Sequence, residues 1–203
     1  MKKLFLLLCM AMTTIAFGQN DLKFISGNFD FIKDQTEINV QLKFDNTLYQ
    51  VENMTEAQYL EKRKKDVLAN PKKTEADWEK WYGEWERFKN SEYLKYFLKG
   101  ANSKSKIVFG NDSKAKYTLI IDAKWIYAGW HAGIVAEEAK LTSNMKFVET
   151  DDPTKVVMEV EGEKMLGRRE NKDFVMEYGR IAAAYEVTGR RLMGKEFKKV
   201  FRK

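Results

Sequence analysis

The stretch KYTLIIDAKWIY, residues 116–127, is the most strongly β-forming segment of the chain. Side chains of an extended strand alternate between its two faces, so Tyr117, Leu119, Ile121, Ala123, Trp125 and Tyr127 share one side. Ile120 and Ile126 make the other side partly apolar. A strand with apolar residues on both sides belongs in the middle of a sheet, with a helix covering one face.

Toward the C-terminus, AGWHAG (128–133) reads as a loop and IVAEEAKLTSNMKFVE (134–149) as a long strand. DDPTK (151–155) supplies a turn and KVVMEVEG (155–162) a returning strand, which together make an antiparallel meander. Toward the N-terminus, Ile38, Val40, Leu42 and Phe44 alternate with Glu37, Asn39, Gln41 and Lys43, the pattern of a strand with one wet face. FISGNFDFI (24–32) precedes it as another strand, and KDQT (33–36) suits a hairpin turn between the two.

Thr55 and Gln58 have capping-box spacing and Pro71 follows, which predicts a helix over 56–69. Thr74 and Asp77 open a second helix over 75–99, with a break expected near Asn90, a new cap at Ser91 and a stop at Gly100. In KDFVMEYGRIAAAYEVTG (172–189), Phe174, Tyr178, Ile181, Ala182 and Tyr185 form one helical stripe that ends at Gly189, and a basic tail (190–203) follows. With no internal repeat and no low-complexity linker, the expected fold is α+β: an antiparallel sheet, hairpin plus meander, with helices packed on one face.

The second helix carries WEKWYGEWERF (78–88), in which Trp78, Trp81, Tyr82, Trp85 and Phe88 lie along one stripe. Each aromatic ring can bury ~150–250 Å², so core packing is the expected role. The competing role, gripping a sugar or a protein partner, requires the rings to stand in solvent.

The chain begins MKKLFLLLCMAMTTIAFGQN, which reads as a signal peptide over 1–18. Its apolar run is shorter than the ~20 residues that span a bilayer. Removal after Gly18 leaves one domain over 19–203, large enough for a single core. Cys9, the only cysteine, lies inside the signal among neighbours unsuited to lipid attachment, so the mature chain is expected to lack disulfides. Without Lys2 and Lys3, 34 basic residues stand against 30 acidic ones, a net charge of +4. The two signs are interspersed, which suits a solvated surface and no nucleic-acid partner. The expected destination is the periplasm, with the extracellular medium as the alternative.

WEKWYGEWERF, KYTLIID and the closing YGRIAAAYEVTGRRLMGKEFKK together resemble a group of uncharacterised secreted proteins of Bacteroides-like bacteria. The likeness covers most of the mature chain and implies no activity and no functional residue. The element order is also similar to that of periplasmic accessory lipoproteins that dock onto larger envelope machines.

Catalytic chemistry is thinly supplied. His131, in YAGWHAGIV, is the only histidine, and no GxSxG elbow accompanies it. One histidine and no mature cysteine leave a transition-metal site short of its usual ligands, and no metal or cofactor is expected. Glu137/Glu138 and Asp151/Asp152 are adjacent pairs, and neighbours in a strand diverge. Two SxxK matches, at Ser103 and Ser113, lack companion motifs. The tail carries seven basic residues and one acidic, with Leu192, Met193, Phe197, Val200 and Phe201 at helical spacing. It is read as a final helix packed on the domain, with weak contact to an anionic membrane surface as the alternative.

These readings lead to an exported, non-enzymatic binding or accessory protein of the bacterial cell envelope. Its expected contacts with an envelope protein partner are Trp130 and His131 in the loop and Arg190, Arg191, Lys198 and Lys199 in the tail. The alternative is a small carboxylate-dependent hydrolase or carbohydrate-binding protein, with a tryptophan-lined cleft and at least two carboxylates beside exposed Trp85, Trp125 or Trp130. Oligomeric state has no signature here. N-terminal sequencing of the mature protein from a bacterial host is expected to begin at Gln19 or Asn20; a start at Met1 would remove the export reading.

Overall fold

A computed structural model describes residues 22–111, 114–133, 135–167 and 175–201. The signal segment, Cys9, Ser113 and Phe174 lie outside the described residues. The strands are β1 (Leu22–Gly27), β2 (Glu37–Lys43), β3 (Leu48–Tyr49), β4 (Val108–Gly110), β5 (Tyr117–Tyr127), β6 (Trp130–Ala132), β7 (Val135–Glu137), β8 (Lys140–Glu149) and β9 (Asp152–Leu166). The helices are α1 (Glu56–Leu68), α2 (Glu75–Arg87), α3 (Tyr93–Asn102), α4 (Glu177–Leu192) and α5 (Lys195–Lys199). The fold class is α+β, as expected. The main sheet runs β1-β9-β8-β5-β2-β4, with β3 beside the far end of β5.

The central place of 116–127 and the meander β5-β8-β9 both hold. The first hairpin does not form. β1 pairs antiparallel with β9 at one edge, while β2 lies parallel to both β5 and β4. Two features divert the chain. Gly27 has a positive φ, and a Cβ there would strike the Val157 carbonyl. Phe29–Ile32 then makes a 3-10 turn capped by Asn28, whose Oδ1 accepts from the Asp30 amide at 2.7 Å. Phe29 and Ile32 are buried, and Phe29 packs edge-on against Phe147 and Phe197. Apolar residues that read as strand alternation thus serve a turn that crosses the end of the sheet. The parallel pairing of β2 with β5 requires a long crossover, which α1, α2 and α3 supply.

β5 does not keep one face throughout. Ala123 pairs with Ser143 and Trp125 with Thr142, so Lys124 is an extra residue in a bulge. Beyond it Ile126 and Ala128 enter the core, while Trp125 and Tyr127 turn to the outer face and stack. The break between β2 and β3 lies opposite, where the Thr47 hydroxyl donates to the Ala123 carbonyl at 2.7 Å. The expected strand over 134–149 is likewise split, because Val135–Glu137 pairs with Trp130–Ala132 as a separate ribbon and β8 begins only at Lys140. Part of the expected AGWHAG loop is therefore strand β6.

The capping box at Thr55 and Gln58 is present. Residues 75–102 form one helical rod without the expected break, because Phe88–Glu92 is a single π turn. Ser91 caps nothing; its hydroxyl donates back to the Arg87 carbonyl. The π turn brings Phe88 and Tyr93, five residues apart, to the same buried side. The three tryptophans are core: Trp78, Trp81 and Trp85 are 7%, 6% and 1% exposed and stack in sequence. They join α2 to neighbouring helices more than to the sheet, since Trp85 meets Tyr59 of α1 and Trp81 meets Tyr178 of α4.

α4 starts at Glu177, and it does not stop at Gly189. Gly100 and Gly189 are contact points instead. A Cβ on Gly100 would meet the Glu186 carbonyl, and one on Gly189 would meet the Phe97 carbonyl, so α3 and α4 touch backbone to backbone. α4 is buried along most of its length, against α3 and against β8 and β9. Gly83, exposed on α2, has nothing near its missing Cβ.

Glycine in a helix ordinarily costs ~0.5–1 kcal/mol relative to alanine. Gly83→Ala is accordingly expected to raise unfolding free energy by about that amount, and Gly100→Ala to lower it by roughly 2 kcal/mol or more through overpacking. Urea denaturation of both variants checks the sign reversal.

Candidate functional site

Two concave surfaces lie near opposite ends of α4, and no described residue lines both. The first is a polar cleft of about 340 Å³ at the end of the sheet. One wall is the face of α1 that carries Tyr59, Lys62, Arg63 and Asp66, at the i, i+3, i+4, i+7 spacing of a single helical stripe. The facing wall is Tyr127, Gly129 and Trp130, and a third side is the turn 50–54, where Gln50 and Asn53 adopt positive φ and Tyr49 bridges Met54.

Glu177, in the first turn of α4, lies at the base. It pairs with Arg63 Nε at 2.7 Å and accepts from Trp81 Nε1 at 3.3 Å. Lys62 pairs with Asp66 at 3.1 Å. Buried Arg180, one helical turn along, fixes the opposite wall: its Nε donates to Ala128 O at 2.8 Å, Nη2 to Gly129 O at 3.1 Å and Nη1 to Val175 O at 2.7 Å. Gly129 has a positive φ and lies hard against the Glu137 backbone, so the turn admits no side chain there.

Trp130 is 44% exposed, and its ring is held from behind. Glu137 Oε2 accepts from Trp130 Nε1 at 3.1 Å and from the Tyr127 hydroxyl at 2.6 Å, while Oε1 takes Lys140 Nζ at 2.7 Å. Lys140, followed by the Tyr127 hydroxyl, holds the Glu137 carboxyl below the usual carboxylate range. Burial, reinforced by the Glu137 hydrogen bond, pushes the Tyr127 phenol up to about 12. Burial likewise raises the Tyr59 phenol far above its ordinary value.

The second surface is a hollow of about 470 Å³ between β1 and α5, adjoined by one of about 270 Å³ that shares Phe24 and Glu196 with it. Phe24, Phe29, Met158 and Val200 supply its apolar lining, and Arg191, Lys195 and Lys199 its basic rim. β1 is the edge of the sheet, with Phe24 40% and Ile25 43% exposed. Ile25 is a bulge residue, skipped in the pairing with β9, which kinks this edge.

The six expected contact residues separate. Trp130 lines the cleft; His131 is exposed on β6 and does not. Arg191 and Lys199 line the hollow, with Lys199 on Glu196 at 2.7 Å. Arg190 is partly buried and tied to Glu186 at 2.6 Å, which also receives Lys99 at 2.9 Å. Lys198 is exposed and lines neither surface. The tail packs through Leu192, Met193 and Phe197, all buried.

Tyr59, Arg63, Glu177 and Arg180 lie outside the set of contact residues expected from the sequence. The stripe Tyr59/Lys62/Arg63/Asp66 has a legible spacing, but that spacing does not reveal what it faces. Among the described residues, no cluster of His, Cys, Asp or Glu is placed to hold a metal ion, and no helix is long and apolar enough to cross a membrane.

No protein-family model matches the chain, and no curated protein matches it in sequence. Two solved structures of the PelC dodecamer from Paraburkholderia phytofirmans, in different crystal forms, are similar at a TM-score of 0.39 and 9% identity, covering 86% of this chain and 96% of that one. A likeness that low carries no functional argument.

Because Glu137 is held low, its anchoring of Trp130 is fully present above the ordinary carboxylate value of 4.5 and is lost as pH falls through the lower folded value. An NMR titration of the Trp130 indole N–H is expected to show its transition below pH 4.5, and Glu137→Gln is expected to remove that transition.

Proposed function

We propose that this protein is an exported, non-enzymatic binding protein of the bacterial cell envelope, which captures an extended segment of a protein partner in the hollow between β1 and α5. The observation that carries the reading is the apolar lining beside an open sheet edge, set under a basic rim. Asp30 is matched by Lys33 at 2.7 Å and Glu196 by Lys199, which among the described residues leaves the positive charges of Arg191 and Lys195 on the rim. Charge complementarity selects a segment with one apolar anchor side chain flanked by carboxylates. The bulge at Ile25 interrupts the edge, so side-chain docking dominates over full strand addition.

One further observation favours binding over catalysis. A carboxylic acid catalyst at neutral pH needs a raised pKa. Among the described residues, the carboxylates shifted from their ordinary values, Asp30, Glu61, Asp77, Glu84, Glu92 and Glu137, are all shifted downward. Export rests on the signal-like segment 1–18.

Photo-cross-linking from position 24 in intact cells tests the reading. The expected result is a discrete adduct with an envelope protein, lost in Arg191→Glu and Lys195→Glu variants and kept in Trp130→Ala. Recovery of a free monomer alone, or an adduct indifferent to the charge reversals, would remove the partner reading.

A further inference from the structure

We propose that the Trp130 cleft is a second binding site, specific for a neutral saccharide, independent of the hollow beneath the tail. A pyranose presents an apolar face of C–H groups and a rim of hydroxyls that both donate and accept. A site for it therefore needs an exposed ring held in place and fixed polar groups of both kinds. Trp130 supplies the ring, and its Nε1 is already committed to Glu137, so the indole face is positioned before any ligand arrives. The facing α1 stripe, together with Glu177 of α4, supplies the polar groups as two preformed ion pairs, Arg63–Glu177 and Lys62–Asp66.

The arrangement selects against other ligand classes. An anionic ligand would need free cationic charge, yet among the described residues both basic members of the cleft lining are paired with carboxylates, and Glu52 adds a further negative charge. A purely apolar ligand would strand the Arg63, Glu177 and Asp66 hydrogen-bonding groups. The volume of about 340 Å³ lies at the low end of the ~300–1,000 Å³ found for small-molecule sites, which fits one or two sugar units. The supports are rigid on both sides: Arg180 binds the carbonyls of Ala128 and Gly129, and Trp81 donates to Glu177 from inside the core. The paired carboxylates suit holding hydroxyls.

The test is a titration of the mature protein, with its tryptophan indoles labelled with nitrogen-15, against methyl glucoside, methyl galactoside, methyl mannoside and N-acetylglucosamine. Inorganic phosphate and choline are run in parallel. At least one sugar is expected to shift the Trp130 indole signal saturably at millimolar concentration, with the buried Trp78 and Trp85 signals unmoved. Trp130→Ala, a surface change that keeps the melting temperature, and Arg63→Met should each weaken binding more than tenfold, as read from backbone amides of the turn 50–54. Arg191→Glu should leave it unchanged, which separates this site from the partner hollow. The proposal is overturned if no sugar moves the Trp130 signal, if phosphate or choline moves it where sugars do not, or if Trp130→Ala binds as tightly as the parent.

Discussion

The backbone contact between α3 and α4 at Gly100 and Gly189 is the constraint on which the rest of the molecule depends. Side chains at those two points would push the helices apart, and α4 would no longer lie between α3 and strands β8 and β9. A helix held that closely is buried along most of its length, which explains why Ala182, Ala183 and Ala184 occupy its middle, where larger groups would not fit. Its two ends are thereby fixed relative to the sheet. The N-terminal end carries Glu177 and Arg180 to the cleft, and the C-terminal end carries Arg191 and Leu192 to the hollow beneath the tail. The two candidate surfaces are consequences of one buried helix.

Around that helix, aromatic packing and polar satisfaction are joined. Trp81 and Trp85 stack inside the core, yet each turns its Nε1 toward a carboxylate near the surface, Glu177 and Glu56. A buried indole N–H that lacks an acceptor is costly. The carboxylates that meet this need are also the ones that take Arg63 and Lys89, so the core aromatics fix the positions of surface charges. In the cleft this holds Glu177 and Arg63 in place as an already paired set, which suits recognition of a neutral hydroxylated ligand. In the hollow under the tail the charges are less balanced and the lining more apolar, which suits a protein segment.

Local sequence signals and tertiary outcomes part company at identifiable residues. The capping box at Thr55, the stripe from Trp78 to Phe88 and the central strand at 116–127 are readable because each depends on spacing alone. The hairpin of the first two strands fails because alternation in FISGNFDFI says nothing about which strand lies alongside, and Phe29 is drawn into the end of the sheet instead. Gly100 and Gly189 look like helix stops because glycine is a common terminator; here the missing side chain is needed for a close approach. The bulge at Lys124 has no composition signature, and it reverses the faces of Trp125 and Tyr127. Of the candidate site, Trp130, Arg191 and Lys199 were found as unusual residues in a loop and a basic tail. Tyr59, Arg63 and Glu177 were not, since they are ordinary members of charged helices until a distant turn is placed opposite them.

What the sequence by itself determined is the α+β class, the identity of the aromatic core and the scarcity of reactive side chains, because periodicity and composition are local properties of the chain. Only the tertiary structure decided the parallel pairing of β2 with β5, the close crossing of α3 on α4 and the meeting of α1 with the Trp130 turn. Those contacts join residues far apart in the chain. Which of the many sterically allowed meetings forms is set by the joint packing of the whole core and by the hydrogen bonds it leaves to be satisfied.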